Sequence, residues 1–173
     1  MSALAGLFFA CCALLGVAGF FKLLRPPTTQ AALVSLGLPG SRRLVQAIGA
    51  AEVAIGAGAL LGVRGSALLV MAAYLSFAGF VGAAIRRGPA LSSCGCFGHP
   101  DAPPTVTHLV VNLGAAVAAG VAASAPLPGL MAVLADQPAG GVPFVLFIAL
   151  TSYLLYLTLT ALPAALAATR LDW

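Results

Sequence analysis

Cys94 and Cys96 are separated by one glycine in the stretch SSCGCFGHPD, residues 92–101, of a chain otherwise rich in Ala, Leu, Val and Gly. A disulfide between such cysteines closes a very small ring, and strained disulfides are easily reduced and often catalytic. Gly95 permits backbone angles that other residues resist. Two thiolates at this spacing also suit a soft cation such as Cu(I), Hg(II) or zinc. The motif predicts a dithiol redox couple or a binding site for a soft metal ion, with two ordinary free thiols as the third interpretation.

Glu52 lies near the middle of an apolar run, where a charged carboxylate costs about 2.5–3.5 kcal/mol on insertion scales. Such a group usually faces the interior of a helix bundle, where it serves a proton path, contacts a polar ligand or ties helices together. Lys22 is the obvious partner, but Glu52 lies about nine residues into the next run, which is roughly 14 Å of depth at about 1.5 Å per residue. We therefore expect Lys22 to extend to the membrane interface and to reach Glu52 only through water or a ligand headgroup.

His108 and Asn112 are spaced i and i+4, so they lie on one face of the helix that follows the thiol segment. The imidazole could accept or supply the proton that thiol chemistry needs, or bind a metal. The alternative is a histidine at the membrane interface, with Asn112 bonded to a neighbouring helix.

Cys11 and Cys12 are adjacent in the first apolar run. Consecutive helical residues point about 100° apart, so these two are poorly placed to bridge each other. Buried cysteines commonly behave as small hydrophobes, and that is the expectation for this pair.

The composition requires lipid as the solvent for most of the chain. Apolar residues make up 61% of the sequence and charged residues 7%, against about 25% charged residues in an ordinary soluble domain. The net charge of +4 does not indicate nucleic-acid binding, because the basic residues lie at the ends of apolar runs. The sequence predicts an all-α integral membrane protein.

Five apolar runs are long enough to cross a bilayer as helices. They are roughly residues 2–24, 43–62, 65–85, 105–125 and 142–166. Stretches rich in Pro and Gly separate them. Residues 28–37 are too short to span and are expected to form a short helix at the interface.

The basic residues also predict an orientation. Seven of the eight lie on one side of the predicted spans, namely Lys22, Arg25, Arg42, Arg43, Arg86, Arg87 and Arg170. Because Lys and Arg favour the cytoplasmic side, we expect an outside N-terminus in a multi-pass cell-membrane protein. The loop with Cys94 and Cys96 would then be cytoplasmic.

The chain resembles the MauE family of methylamine-utilisation proteins, within the wider DoxX-like group of small membrane proteins. The matching features are Lys22 in GFFKLL, Glu52 in GAAEVAIGAGALL, the stretch RRGPALSSCGCFG, and Asn112. The family often has Arg before that Asn, where this chain has Val111. The resemblance implies a DoxX-like four-helix membrane domain over residues 1–125. A loop over 126–141 and an additional transmembrane helix with a short tail over 142–173 would follow it.

The resemblance also implies thiol redox chemistry at the membrane, as in the maturation of disulfide-containing proteins. Cys94 and Cys96 would exchange electrons with a thioredoxin-like partner, with His108 as proton relay and Glu52 as a buried proton group. A quinone would be the other electron carrier. The residues expected to contact that quinone are Lys22, Glu52 and Asn112.

Two alternatives remain open. The four cysteines also resemble those of small mercuric-ion transport proteins, in which a soft mercuric or copper ion would pass from one pair to the other. The ligands would then be Cys11, Cys12, Cys94 and Cys96. The other alternative is a non-catalytic accessory subunit that packs against a larger complex through Gly- and Ala-rich faces. Whether the protein is a thiol-disulfide oxidoreductase therefore stays open at this point.

Overall fold

A computed structural model of the chain describes residues 3–87, 104–125 and 127–169, with side chains between residues 4 and 163 of these ranges. Cys94 and Cys96 lie outside the described residues. The described part of the chain is helical and contains no strand, which confirms the all-α prediction. The helices are α1 Ala3–Leu24, α2 Pro26–Ser35, α3 Arg42–Leu60, α4 Ser66–Arg87, α5 Val106–Ser124, α6 Leu130–Ala135 and α7 Val142–Thr169.

Five helices in the described part are long and apolar enough to cross a membrane, namely α1, α3, α4, α5 and α7. Each coincides with a predicted span. The short segment after the first span is the ten-residue helix α2, which has prolines at its first positions, where a missing backbone N–H costs no helical hydrogen bond. The loop predicted over 126–141 contains α6 and a 3-10 turn, Pro138–Gly141.

Helices α1 and α3 run side by side at backbone contact because two glycines face each other. A Cβ atom on Gly19 would lie 2.5 Å from the Gly49 carbonyl oxygen, and one on Gly49 would lie 2.6 Å from the Gly19 carbonyl oxygen. Small residues allow such an approach in lipid, where no hydrophobic effect drives helices together. This contact fixes which residues of α1 lie beside which residues of α3.

Helices α4 and α5 form the other close pair, and contacts of α1 with α5 and of α3 with α4 join the two pairs. Helix α2 packs against the end of α4, where Ala32 and Leu36 contact Ala84. The end of α4 also brings Arg87 beside Gly37.

Helix α7 packs against α1 and α5. Its Ile148 and Leu159 are buried, and the Ser152 hydroxyl donates to the Ala10 carbonyl at 3.3 Å. Pro163 lies inside α7. Since proline has no N–H, the carbonyl of Leu159, four residues earlier, lacks its helical hydrogen bond.

Candidate functional site

Lys22 and Glu52 form a buried ion pair between α1 and α3. The Lys22 Nζ donates to Glu52 Oε2 at 2.7 Å, and the two residues are only 4% and 3% exposed. The same ammonium lies 5.1 Å from the centroid of the Phe77 ring on α4, within the range of a cation–π contact. The expectation that Lys22 reaches the interface and leaves Glu52 without a direct partner is wrong.

The prediction was wrong because it placed the C-terminal end of α1 and the N-terminal end of α3 at the same depth in the membrane. In the structure Lys22 lies beside Gly49, well inside α3 rather than at its first turn, and α3 also packs against α2. Helical side chains lean toward the N-terminus of their own helix, so Lys22 leans further toward the level of Glu52. The depth difference that the sequence suggested therefore does not exist.

A cavity of about 380 Å³ opens beside the ion pair, between α2, α3 and α4. Its wall is mostly apolar and includes the rings of Phe77 and Phe80, while its polar groups include Lys22 and Glu52. The second carboxylate oxygen, Glu52 Oε1, is buried and has no hydrogen-bond partner among the described residues. A buried polar atom without a partner is costly, so the cavity offers a ligand one strong polar contact at the end of an apolar pocket.

His108 is buried at the N-terminus of α5, with only 1% of its surface exposed. The surrounding helices therefore enclose the ring. Its Nδ1 accepts from the backbone N–H of Thr105 at 3.3 Å and lies 3.0 Å from the Thr105 hydroxyl, as part of a capping box. A neutral ring that accepts at Nδ1 carries its hydrogen on Nε2. That Nε2 is buried and has no hydrogen-bond partner among the described residues.

Asn112 lies on the same buried face as His108, as the spacing predicted. Its amide donates to the His108 carbonyl of its own helix at 2.7 Å. The second interpretation of the sequence expected Asn112 to bond to a neighbouring helix instead. Val111, which replaces the usual arginine of the family pattern, packs near Leu14 and Leu159. The position therefore serves helix packing in this chain.

A second, much smaller cavity of about 20 Å³ lies between α1, α4, α5 and α7. Lys22, Tyr74, His108 and Asn112 contribute its polar side chains. Lys22 and Phe77 line both cavities. The structure thus brings three predicted site residues, Lys22, His108 and Asn112, around one small space, with Glu52 bonded to the first of them.

The sequence pattern of this chain matches one family model, described as "Methylamine utilisation protein MauE", over residues 1–125. The chain belongs to the MauE family. The match contains the buried ion pair, both residues of the α5 face and the CGCFG motif, whereas α7 lies beyond it. Neither a search of curated proteins nor a search of solved structures found a match to the chain.

Cys11 and Cys12 lie within the MauE match but deep in the helix packing. They are free thiols, with 1% and 0% of their surface exposed, and they pack in an apolar cluster around Phe9. The Tyr74 hydroxyl donates to the Cys11 carbonyl at 2.8 Å. No group of three potential metal ligands exists among the described residues. Their burial in an apolar cluster agrees with the expectation of small hydrophobes.

The residues of the site that the sequence analysis did not name include Thr105, Tyr74, Phe77 and Leu159. Thr105 could have been recognised, because a threonine three residues before His108 is a capping pattern. Tyr74 and Leu159 could not, since nothing in an apolar run indicates which residue faces a polar group on another helix. Only the packing of α4 and α7 places them at the small cavity.

Proposed function

We propose that this MauE-family protein is a membrane thiol-disulfide redox protein in which Cys94 and Cys96 are the dithiol couple. The observation that carries the proposal is the unpartnered Glu52 oxygen, held by Lys22 beside a ligand-sized cavity. A polar group this costly in a membrane helix usually serves function. The cavity adjoins α2, which packs against the end of α4, and the thiol-bearing segment follows α4 in the sequence.

The exchange with a thioredoxin-like partner follows ordinary thiol chemistry. One of the two thiolates attacks a sulfur of the partner's disulfide and forms a mixed disulfide, and the second thiolate then displaces the partner as a dithiol. Cys94 and Cys96 lose two electrons when they form a disulfide, and the partner's disulfide gains the same two electrons. Run in reverse, the exchange oxidises the partner and returns Cys94 and Cys96 to thiols. Such exchange suits the maturation of disulfide-containing proteins.

The large cavity fits a quinone as the second electron carrier. Its apolar wall with Phe77 and Phe80 suits a planar ring and an isoprenoid chain, and Glu52 with Lys22 supplies polar contacts for the ring oxygens. A bound quinone supplies an acceptor for two electrons and two protons. Asn112, the third expected contact, lines the small cavity instead, so we assign the ring contacts to Lys22 and Glu52.

The couple is proposed to face the cytoplasm. Lys22, Arg25, Arg42, Arg86 and Arg87 are at the helix ends on the α2 side, and the cytoplasmic side of a membrane protein carries the excess of such residues. In that orientation, cytosolic reductants would supply electrons to Cys94 and Cys96, and the electrons would pass from there to the quinone in the membrane.

Thiol alkylation with a mass tag, before and after reduction in native membranes, tests the redox function. We expect Cys94 and Cys96 to change together between tagged and protected forms, and we expect a membrane-impermeant reagent to reach them only in inside-out vesicles. Cys96→Ser should trap a mixed disulfide with a thioredoxin-like protein. Cys11 and Cys12 provide the internal control, because their burial should keep them untagged until the protein is denatured. Cys94 and Cys96 that stay reduced under every redox condition would contradict the proposal.

Filling the large cavity should weaken quinone binding. Ala73 lines the cavity, whereas its neighbour Ala72 does not and is exposed. We expect Ala73→Phe to weaken binding of a short-chain benzoquinone at least about tenfold, which corresponds to a loss of about 1.4 kcal/mol, and Ala72→Phe to leave it unchanged. Equilibrium binding to protein in lipid nanodiscs measures the difference. Equal affinities for the two variants would show that the quinone does not bind in this cavity.

A further inference from the structure

We propose that the large cavity binds a hydroquinone more tightly than the corresponding quinone, because Glu52 Oε1 accepts a hydrogen bond from a ligand hydroxyl group. The inference rests on the proposed function, in which this cavity is the quinone site. It makes Glu52 the residue that selects the oxidation state of the ligand. It also sets the direction of electron transfer that the site favours.

Glu52 Oε1 is an acceptor without a donor. It is buried, and it has no hydrogen-bond partner among the described residues. The other carboxylate oxygen, Oε2, accepts from the Lys22 ammonium at 2.7 Å. Glu52 lines the large cavity but not the small one, so the group that satisfies Oε1 comes from the large cavity. An ionised carboxylate only accepts hydrogen bonds, and that group is therefore a donor.

The two oxidation states of a quinone differ in this respect. A hydroquinone carries O–H groups, one of which can donate to Oε1, whereas the carbonyl oxygens of the quinone are acceptors only. A quinone carbonyl in the same place would set two acceptors against each other and leave Oε1 unpaired, which is costly for a buried group. A hydrogen bond to a charged group is also stronger than one between neutral groups. Both effects favour the reduced form.

Packing holds the carboxylate in position for this contact. A Cβ atom on Gly19 would lie 2.8 Å from the Glu52 Cβ, so the backbone of α1 closes the space on that side of the residue. The ion pair with Lys22 fixes Oε2. An acceptor that is held in place before the ligand arrives discriminates between donors and acceptors better than a side chain that must first be ordered.

The rim of the cavity opens at the surface of two membrane-spanning helices. Ala51 on α3 and Ser76 on α4 both line the cavity and are exposed. A ligand dissolved in the bilayer can therefore enter between them, at a depth where little water competes for Oε1. The Ser76 hydroxyl donates to the Ala72 carbonyl at 2.8 Å, so its hydrogen is already used within α4. The other hydroxyl of the wall belongs to Thr29 on α2.

The preference raises the reduction potential of the bound quinone. Oxidation of Cys94 and Cys96 to a disulfide releases two electrons and two protons, and a quinone takes up both to become a hydroquinone. Because the reduced form binds more tightly, the potential of the bound couple rises by about 30 mV for each tenfold difference in affinity. The bound quinone is then a stronger oxidant than quinone free in the bilayer, which favours electron flow from the thiols to the quinone.

Equilibrium binding of a short-chain benzoquinone and of its hydroquinone tests the preference. The full chain is placed in lipid nanodiscs without oxygen, with Cys94→Ser and Cys96→Ser so that neither of these thiols can reduce the probe. We expect the hydroquinone to bind at least about tenfold more tightly than the quinone, as befits a hydrogen bond to a charged group. The ratio of the two affinities is the readout, so a loss of affinity common to both forms cancels.

The Lys22→Met/Glu52→Gln double variant should bring the two affinities together. Its amide offers a donor as well as an acceptor, and no unpaired charge remains to unfold the protein. Ser76→Ala and Thr29→Val are the matched controls, because they change the other two hydroxyls of the wall, and they should leave the ratio unchanged. A potentiometric titration of the bound probe should show the raised potential in the Cys94→Ser/Cys96→Ser protein and lose it in the double variant.

Equal affinities for the two forms, or tighter binding of the quinone, would overturn the preference and leave the quinone site to be judged by Ala73→Phe. A preference that persists in the double variant overturns the role of Glu52. If neither form binds, this inference and the quinone assignment fail together. The thiol redox function has its own readout in alkylation, so Cys94 and Cys96 that cycle in a protein without quinone binding would contradict this inference alone and leave that function standing.

Discussion

Replacing Lys22 by Met is expected to destabilise the protein by about 3–5 kcal/mol, the usual cost of removing one partner of a buried ion pair. The variant leaves Glu52, which is 3% exposed, without its 2.7 Å contact to an ammonium. It also removes the cation from the face of Phe77. Reversible unfolding in bilayers, by steric trapping or in detergent with increasing SDS, measures the change in unfolding free energy.

The double variant Lys22→Met/Glu52→Gln separates the ion pair from simple packing. Because no unpaired charge remains, we expect it to recover most of the stability that the single variant loses. A single variant within about 0.5 kcal/mol of the parent protein, the range of ordinary surface substitutions, would mean that the two side chains are not paired in the membrane.

Gly19→Ala is expected to cost about 1–3 kcal/mol from overpacking, and to lengthen the Lys22–Glu52 contact as well. Its new methyl group would lie 2.5 Å from the Gly49 carbonyl oxygen and 2.8 Å from the Glu52 Cβ. Neither backbone can move without separating α1 from α3. Unfolding measurements should therefore show a loss of stability, and a cysteine pair or spin labels placed across α1 and α3 should report a wider spacing.

Gly16→Ala is the matched control on the same helix. A Cβ atom at Gly16 meets nothing within 4 Å, and alanine is a better helix former than glycine by about 1 kcal/mol. We expect this variant to be neutral or slightly more stable than the parent. Equal losses for Gly16→Ala and Gly19→Ala would show that close approach at Gly19 is not the reason for the effect.

The sequence alone determined the solvent and the elements. A chain with so few charges must place most of its surface in lipid, and runs of about 20 apolar residues can only satisfy their backbone there as helices. Those two facts predicted all five long helices close to their observed bounds. The spacing of His108 and Asn112 likewise predicted a shared helix face, because the geometry within one helix is fixed.

The tertiary structure decided how residues on different helices meet. Lys22 and Glu52 are 30 residues apart in sequence, and their depth depends on how far α3 extends past the end of α1, which the apolar runs do not encode. The Gly19–Gly49 contact sets that offset, and a shift of one helical turn would separate the two charges by about 5.4 Å. The same reasoning applies to His108, whose neighbours Tyr74 and Leu159 come from other helices. Individual residues identified the polar groups, but the relative positions of the helices made them one site.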